Sequence, residues 1–481
     1  MLFRLLTMAI AAWLSGWSAA SPTSLQAAPN ILLIVSDDQG WPDLGCMKLK
    51  AIDTPHLDRL AASGVRATHF YMTWPACTPS RGSLITGRFP QRNGLYDMVR
   101  NDMVNYGHLF TAEEYAVSPE MTLGLDPREE TFGDALRRHG YRTGMVGKWD
   151  MGQAKRYLPL QRGFDSFYGH GNNGIDYYTH ERYGVPSMFD GNERTISDRG
   201  QYATTLFKEK ALQFIDARPV DQPWFLYLCF NAPHAASSFA AEGTEPEAVR
   251  GDGKGKGKAK PGVQVPDEFA RPYRERGESA GLANYLGAVN CMDAAIGELM
   301  DRIRQRGEEQ QTLVIFMSDN GGAGNGGNAP LRGGKSTMWE GGLRVPFIAS
   351  WPQALPAGKV TDEFLTSLEI FPTLLAAAGS PLPDQRPLDG FDCLPVLRGE
   401  QPSSRTAMFW QRRRDRAARV GQWKWLEMGS KQGLYDLAAD PGEEHDLSSE
   451  NPAMLQRVKA RWEEWRREMD AAEPRGPFRD Y

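Results

Sequence analysis

The chain has 481 residues, with 55 basic against 60 acidic side chains and a net charge of −5. That balance excludes a nucleic-acid binder held by bulk charge. An apolar share of 41% is that of a soluble globular protein, with length for one large core and a smaller second unit.

In chain order, Arg4 precedes an apolar run from Leu5 to Trp17, and the small residues Ser18-Ala19-Ala20 follow it. This is the pattern of a secretory signal peptide, and the run is too short to span a bilayer comfortably. No cysteine follows it to take a lipid. The expectation is an exported protein, periplasmic or secreted, without a membrane span. Residues 1–28 are then signal peptide and leader.

Ile31–Val35 is a continuous apolar run, as in a strand buried on both faces of a parallel sheet, and it ends in Ser36-Asp37-Asp38. Thr54-Pro55 opens a helix with Leu57, Leu60 and Ala61 on one face and Gly64 as its stop. In Cys77-Thr78-Pro79-Ser80-Arg81, Thr78 reads as the N-cap and Pro79 as the first helical residue, with Gly87 as the C-terminal stop. Cys77 then sits at a helix N-terminus, where unpaired N–H groups favour an anion. Arg81, one turn on, is placed to return its guanidinium toward the same spot.

Thr131 to Arg138 predicts a second capped helix, and a short strand through Met145 and Val146 delivers Gly147-Lys148-Trp149-Asp150. Gln201 to Arg218 reads as a helix and Pro223 to Phe230 as a buried strand, followed by Asn231-Ala232-Pro233-His234. Gly251 to Gly262 alternates glycine and lysine, which predicts a solvated linker. Tyr285, Leu286, Val289, Met292, Ile296, Leu299 and Ile303 hold helical spacing over Leu282 to Arg306. Leu313–Met317 is a second buried strand, ending in Ser318-Asp319-Asn320-Gly321.

Strand and helix alternate through to about Leu375, so the fold class is α/β: a mostly parallel, doubly wound sheet flanked by helices. Beyond about Asp389 the character changes. Met408 to Trp410 and Gln422 to Leu426 predict antiparallel strands, Leu434–Leu437 with Asp440-Pro441-Gly442-Glu443 a turn, and Met454 to Ala471 a closing helix. The expected units are a large α/β domain over 29–380 and a small C-terminal antiparallel-sheet-plus-helix subdomain over 381–481.

Asp37, Asp38, Asp319 and Asn320 are hard oxygen ligands at two strand ends, which suits Ca²⁺ or Mg²⁺ better than zinc. The cysteine string and its Leu84-Ile85-Thr86-Gly87 ending resemble the hallmark of the type I sulfatases, formylglycine-dependent enzymes of the alkaline phosphatase superfamily. Thr54–Ala61, Trp224–His234, Leu331–Lys335 and Glu340–Pro346 match the same family, so the resemblance spans nearly the whole mature chain.

The resemblance implies that a formylglycine-generating enzyme converts Cys77 to formylglycine, whose hydrated aldehyde attacks sulfur and then expels sulfate. It implies one calcium ion at Asp37, Asp38, Asp319, Asn320 and the Cys77-derived group. Arg81, Lys148 and Lys335 would neutralise the sulfate, His234 would contact or protonate the leaving oxygen, and Asp319 would help activate the nucleophile. A sulfated carbohydrate is the favoured substrate. A phosphate or phosphonate ester hydrolase and a non-catalytic binder of sulfated glycans are the alternatives.

One position departs from the family: its Gly-Lys-Trp-His is Gly-Lys-Trp-Asp here, with Asp150 last. Asp150 is expected to contact the aldehyde hydrate and slow the reaction, unless it pairs with Lys148, turns away, or yields to His170 or His180. Asp176–His180 resembles a segment of the arylsulfatase B-like branch, in which Tyr177 and Tyr178 either wall a sugar ring or pack in the core. With Cys77 modified, Cys46, Cys229, Cys291 and Cys393 remain; the sequence does not pair them, and Cys229 reads as a buried thiol.

Overall fold

The structure is a computed structural model and describes residues 28–48, 51–101, 108, 110–217, 222–237, 262–383, 386–473 and 475. The expected signal peptide and nearly all of the glycine–lysine stretch lie outside the described residues. No helix among the described residues is long and apolar enough to cross a membrane.

β1 (Asn30–Ser36) lies inside a ten-stranded sheet because its apolar run has no polar face. Ile31, Leu33 and Val35 enter the core on one side, and Leu32 and Ile34 the core on the other. Full burial of each such side chain stabilises by roughly 1.5–3 kcal/mol. In chain order the sheet continues with β2 (Val65–Ala67), β3 (Arg142–Lys148), β4 (Ser166–His170), β5 (Met188–Asp190) and β6 (Glu193–Arg194). β7 (Trp224–Cys229), β8 (Thr312–Ser318), β9 (Phe347–Ser350) and β10 (Lys359–Thr361) complete it. The spatial order is β10-β2-β9-β8-β1-β7-β3-β4-β5-β6. The central run β8-β1-β7-β3-β4 is parallel throughout, while β9, β5 and β6 pair antiparallel at its flanks.

Helices cover both faces. α1 (Pro55–Ala62) precedes α2 (Cys77–Thr86), and α3 (Phe132–Arg138) starts in a capping box between Thr131 and Asp134. They are followed by α4 (Ala203–Asp216), α5 (Ala280–Gln305) and α6 (Ile370–Ala378). Leu84, Ile85, Leu136 and Leu374 from α2, α3 and α6 pack with Ile31, whereas Leu57, Phe207 and Val289 from α1, α4 and α5 pack with Leu32. The sheet is doubly wound.

The C-terminal part is a four-stranded antiparallel sheet, β11 (Ala407–Arg412), β12 (Asp415–Val420), β13 (Trp423–Met428) and β14 (Lys431–Asp436), closed by α7 (Pro452–Ala471). The sequence reading left β12 out and misplaced one turn. β12 carried no strand signal of its own, and Leu434–Asp436 end β14 rather than forming the turn. β12 is held by its two neighbours and by the Arg419 guanidinium, 4.1 Å from the centre of the Phe364 ring. Neither influence is local in sequence. The sheet docks on the larger one through Trp410, whose Nε1 donates to Met72 O at 2.7 Å. Lys424, fully buried, bridges Glu340 at 2.9 Å and Glu443 at 2.8 Å.

Candidate active site

The carboxyl ends of the parallel strands carry the polar residues. β1 and β8 pair in register from Asn30↔Thr312 to Ser36↔Ser318, so Asp37-Asp38 and Asp319-Asn320 emerge side by side. Asp38 N donates to Asp319 Oδ1 at 3.2 Å, and Asn320 Nδ2 to Asp38 Oδ1 at 2.8 Å. Asp38 takes a φ of 65°, in the left-handed region that aspartate tolerates better than most side chains. Carboxylate oxygens of Asp37, Asp38 and Asp319 and the Cys77 Sγ all lie within 4.8 Å of one another, and all four residues are buried.

Two lysines and an imidazole close on this group from three elements. Lys148 ends β3 and donates to Asp37 Oδ2 at 2.7 Å. Gly147 before it has a φ of 100°, and a Cβ there would meet Cys229 O at 1.8 Å, so only glycine lets the strand present Lys148 this way. Lys335 Nζ sits 2.7 Å from Asp38 Oδ1 and 3.3 Å from Cys77 Sγ. His234, beyond β7, points Nε2 at Asp38 Oδ2 from 3.6 Å. Tyr177 fixes that loop by donating to the carbonyls of Asn231 and His234, each at 2.8 Å.

Burial pushes the Asp37 carboxyl up to about 8, against the pull of Lys148. Burial also opposes ionisation of Asp38, but Lys335, with Lys148 behind it, outweighs it and holds that group below the usual carboxylate range. For Asp319, burial is likewise overcome by Arg81 and Lys148. Burial drives the Cys77 thiol well above its ordinary value, so an unmodified thiol here is a poor nucleophile. Burial, then Lys335, lowers His234 to about 3, leaving a neutral ring.

Several expectations need correction. α2 begins at Cys77 itself with Ala76 as N-cap, because the Thr78 hydroxyl is used elsewhere: it donates to Asp150 Oδ1 at 3.0 Å. Arg81 does not turn back to Cys77. Its fully buried guanidinium donates to Asp319 Oδ2 at 2.9 Å and to Lys148 O at 3.1 Å. Of the two readings of Tyr177, core packing holds: it is buried in the core, while Tyr178 is half-buried against Tyr202. His180 bonds Gln201 O at 2.9 Å and is held there rather than at the aldehyde position. His170 is buried at the end of β4, its ring bonded to Asn172 O at 2.9 Å. Cys46, Cys229, Cys291 and Cys393 are all free thiols, and Cys229 is buried as read.

The donors fit a hard cation. Three carboxylates crowd together, and Asn320 Oδ1 is buried with no hydrogen-bond partner among the described residues. Sequence reasoning passed over one group altogether. A cleft of about 230 Å³ beside His234 and Lys335 is bordered by Arg100, Arg182, Arg412 and Arg413. The run Arg412-Arg413-Arg414 was its one visible signal.

Fold and site together define an α/β protein with an acidic ligand set and a buried cationic cradle at the carboxyl edge of its sheet. The Sulfatase family model matches residues 29–380, and that of the N-sulphoglucosamine sulphohydrolase C-terminal region matches 334–468. Human arylsulfatase A is 32% identical over 98% of this chain and 93% of its own. Dog N-acetylgalactosamine-6-sulfatase is 31% identical over 88% of this chain and 75% of its own. The crystal structure of Ps i-CgsB superposes with a TM-score of 0.77 at 29% identity, covering 91% of this chain and 92% of that one. The chain belongs to the type I sulfatases of the alkaline phosphatase superfamily, and it is a sulfuric ester hydrolase.

Proposed function

We propose that this sulfatase removes sulfate from a sulfated carbohydrate, using formylglycine made from Cys77 and a bound calcium ion. The observation that carries this is the setting of Cys77. Its Sγ sits at a helix N-terminus, 3.3 Å from Lys335 Nζ and 3.6 Å from Asp37 Oδ1. Such a buried thiol gains nothing as a thiol. Formylglycine supplies there a hydrated aldehyde, an oxygen nucleophile that cysteine lacks. Asp37, Asp38, Asp319 and Asn320, with the Cys77-derived group, would hold calcium, which polarises sulfate oxygens and favours the ionised nucleophile.

The chain's own residues do the rest. Lys148 and Lys335 neutralise the sulfate oxygens as charge builds on them. Arg81 acts through Asp319, fixing its carboxylate from behind. With Nδ1 2.6 Å from Ala235 O, the neutral His234 ring offers Nε2 as an acceptor. An arriving sulfate adds negative charge beside it and favours the imidazolium, which then hands a proton to the leaving oxygen.

The carbohydrate assignment draws on relatives. One is named for N-acetylgalactosamine 6-sulfate, and Ps i-CgsB was crystallised with a neocarrahexaose. Export by the N-terminal leader, maturation by a formylglycine-generating enzyme and the division into 29–380 and 381–481 complete the reading.

Protein made with a formylglycine-generating enzyme should carry an aldehyde at Cys77, seen as a lighter tryptic peptide, and Cys77→Ala should be inactive. An unmodified thiol in active enzyme would overturn the reading. Matched aryl sulfate and aryl phosphate should give turnover strongly favouring the sulfate; the reverse would make this a phosphate ester hydrolase.

A further inference from the structure

The cleft beside the reacting atoms is lined by guanidinium groups from separate parts of the chain. Arg100 comes from the segment after α2, Arg182 from the segment after β4, and Arg412 and Arg413 from the hairpin between β11 and β12. Asp97 is the one carboxylate among the described residues that line it.

Three of these arginines are held in place by contacts around the cleft. Arg413 Nε donates to Asp97 Oδ2 at 2.8 Å, across the cleft from its own hairpin. Arg412 donates to Asp415 at 3.1 Å, with its guanidinium 5.8 Å from the centre of the Trp74 ring. Arg182 pairs with the buried Glu120, and its Nε is buried without a hydrogen-bond partner among the described residues. The hairpin itself is clamped to the run leading into Cys77, since Trp74 Nε1 donates to Gln411 O at 2.8 Å. Its tip places Arg413 at a φ of 54°, where a glycine or asparagine would sit without strain.

A guanidinium has five donors in a planar fork, so the carboxylates that orient Arg412 and Arg182 leave donors for a ligand. A neutral sugar would leave such a set of cations desolvated and poorly matched. An anionic one would not. We propose that this cleft binds a second anionic group, a sulfate or a carboxylate on the sugar next to the one bearing the scissile sulfate. The C-terminal hairpin thereby makes the enzyme selective for polyanionic oligosaccharides. This rests on the sulfatase reading of the neighbouring site.

The test compares kcat/KM on three disaccharides: one with the scissile sulfate alone, one with a second sulfate and one with an added uronate carboxylate. Wild-type enzyme should prefer a doubly anionic substrate by about tenfold, mainly through KM, and added salt should shrink that ratio. In the double variant Arg412→Gln, Arg413→Gln the ratio should fall toward unity. Damage to the fold would lower all three substrates together and leave the ratio intact, which would overturn the proposal, as would a wild type without preference. Retention of one ratio and not the other identifies which anion is read.

Calorimetric binding of the same disaccharides to Cys77→Ala gives a readout free of turnover. If no sulfate ester is hydrolysed at all, the catalytic reading fails, and the binding preference still decides the cleft.

Discussion

Thr78 Oγ1 donates a 3.0 Å hydrogen bond to Asp150 Oδ1, joining the second residue of α2 to the loop that follows β3. The other carboxylate oxygen lies 3.9 Å from Lys148 Nζ and has no hydrogen-bond partner among the described residues. Asp150 is buried and takes a φ of 57°, a conformation that aspartate and histidine both enter more readily than most residues. Burial raises its carboxyl to about 6, against Lys148 and Arg81. The residue that departs from the family thus lies between α2 and Lys148.

An aspartate there can only accept when ionised, whereas the family histidine can donate. A carboxylate facing a bound sulfate from about 5 Å, at an effective dielectric of about 20, would repel it by roughly 3 kcal/mol. Asp150→His should therefore raise turnover of a small aryl sulfate, by up to about a hundredfold if nothing compensates. Loss of all turnover in that variant would mean that Asp150 has a positive role, and the Thr78 bond would be the place to look for it.

Removing a carboxylate from the strand-end cluster should empty the proposed ion site. Asp38→Ala is expected to lower calcium well below one per chain by elemental analysis. Turnover should fall by at least about a hundredfold, since a catalytic cation supplies several kcal/mol. Full metal occupancy in this variant would place the ion elsewhere.

Gly147→Ala tests how Lys148 is presented. The added methyl would lie 1.8 Å from Cys229 O, a backbone atom of the neighbouring strand that cannot step aside cheaply. The expected cost is about 3 kcal/mol or more, read as a lower urea midpoint. An unchanged midpoint would show that the end of β3 relaxes freely.

The junction between the two sheets should give stability a bell-shaped pH dependence. Burial disfavours the Glu340 carboxylate, but Lys424, Arg419 and Arg344 outweigh it and pull the group to about 2. Its contribution is present above the ordinary value of 4.5 and is lost as pH falls from there toward 2. Glu443 is pushed the other way, to about 7, by burial with Glu340 adding to it. Its contribution is complete below 4.5 and is lost as pH rises through 7. Glu340→Gln should flatten the acid limb of melting temperature against pH, and Glu443→Gln the neutral limb. Parallel curves for both variants and wild type would rule the junction out as the titrating element. Lys424→Met, which strands two buried carboxylates, should cost about 3–5 kcal/mol.

What the sequence determined by itself was whatever depends on near neighbours. β1 and β8 were readable because a strand buried on both faces must be apolar throughout, whatever it pairs with. The end of α2 was readable because Gly87 supplies the left-handed stop within its own turn. The acidic pairs followed from where those strands end. Tertiary structure decided the rest, and each case turns on a contact far along the chain. Thr78 forgoes capping α2 because its acceptor, Asp150, is 72 residues away. Arg81 turns from Cys77 to Asp319, 238 residues on, because a buried guanidinium needs a carboxylate more than it needs a neighbouring helix end. β12 exists because β11 and β13 pair with it, and its hairpin reaches the cleft because Trp74 Nε1 donates to Gln411 O across 337 residues of chain. Local patterns record which backbone conformation a residue favours; the partner that satisfies a buried polar group is selected only when the sheet closes and water leaves.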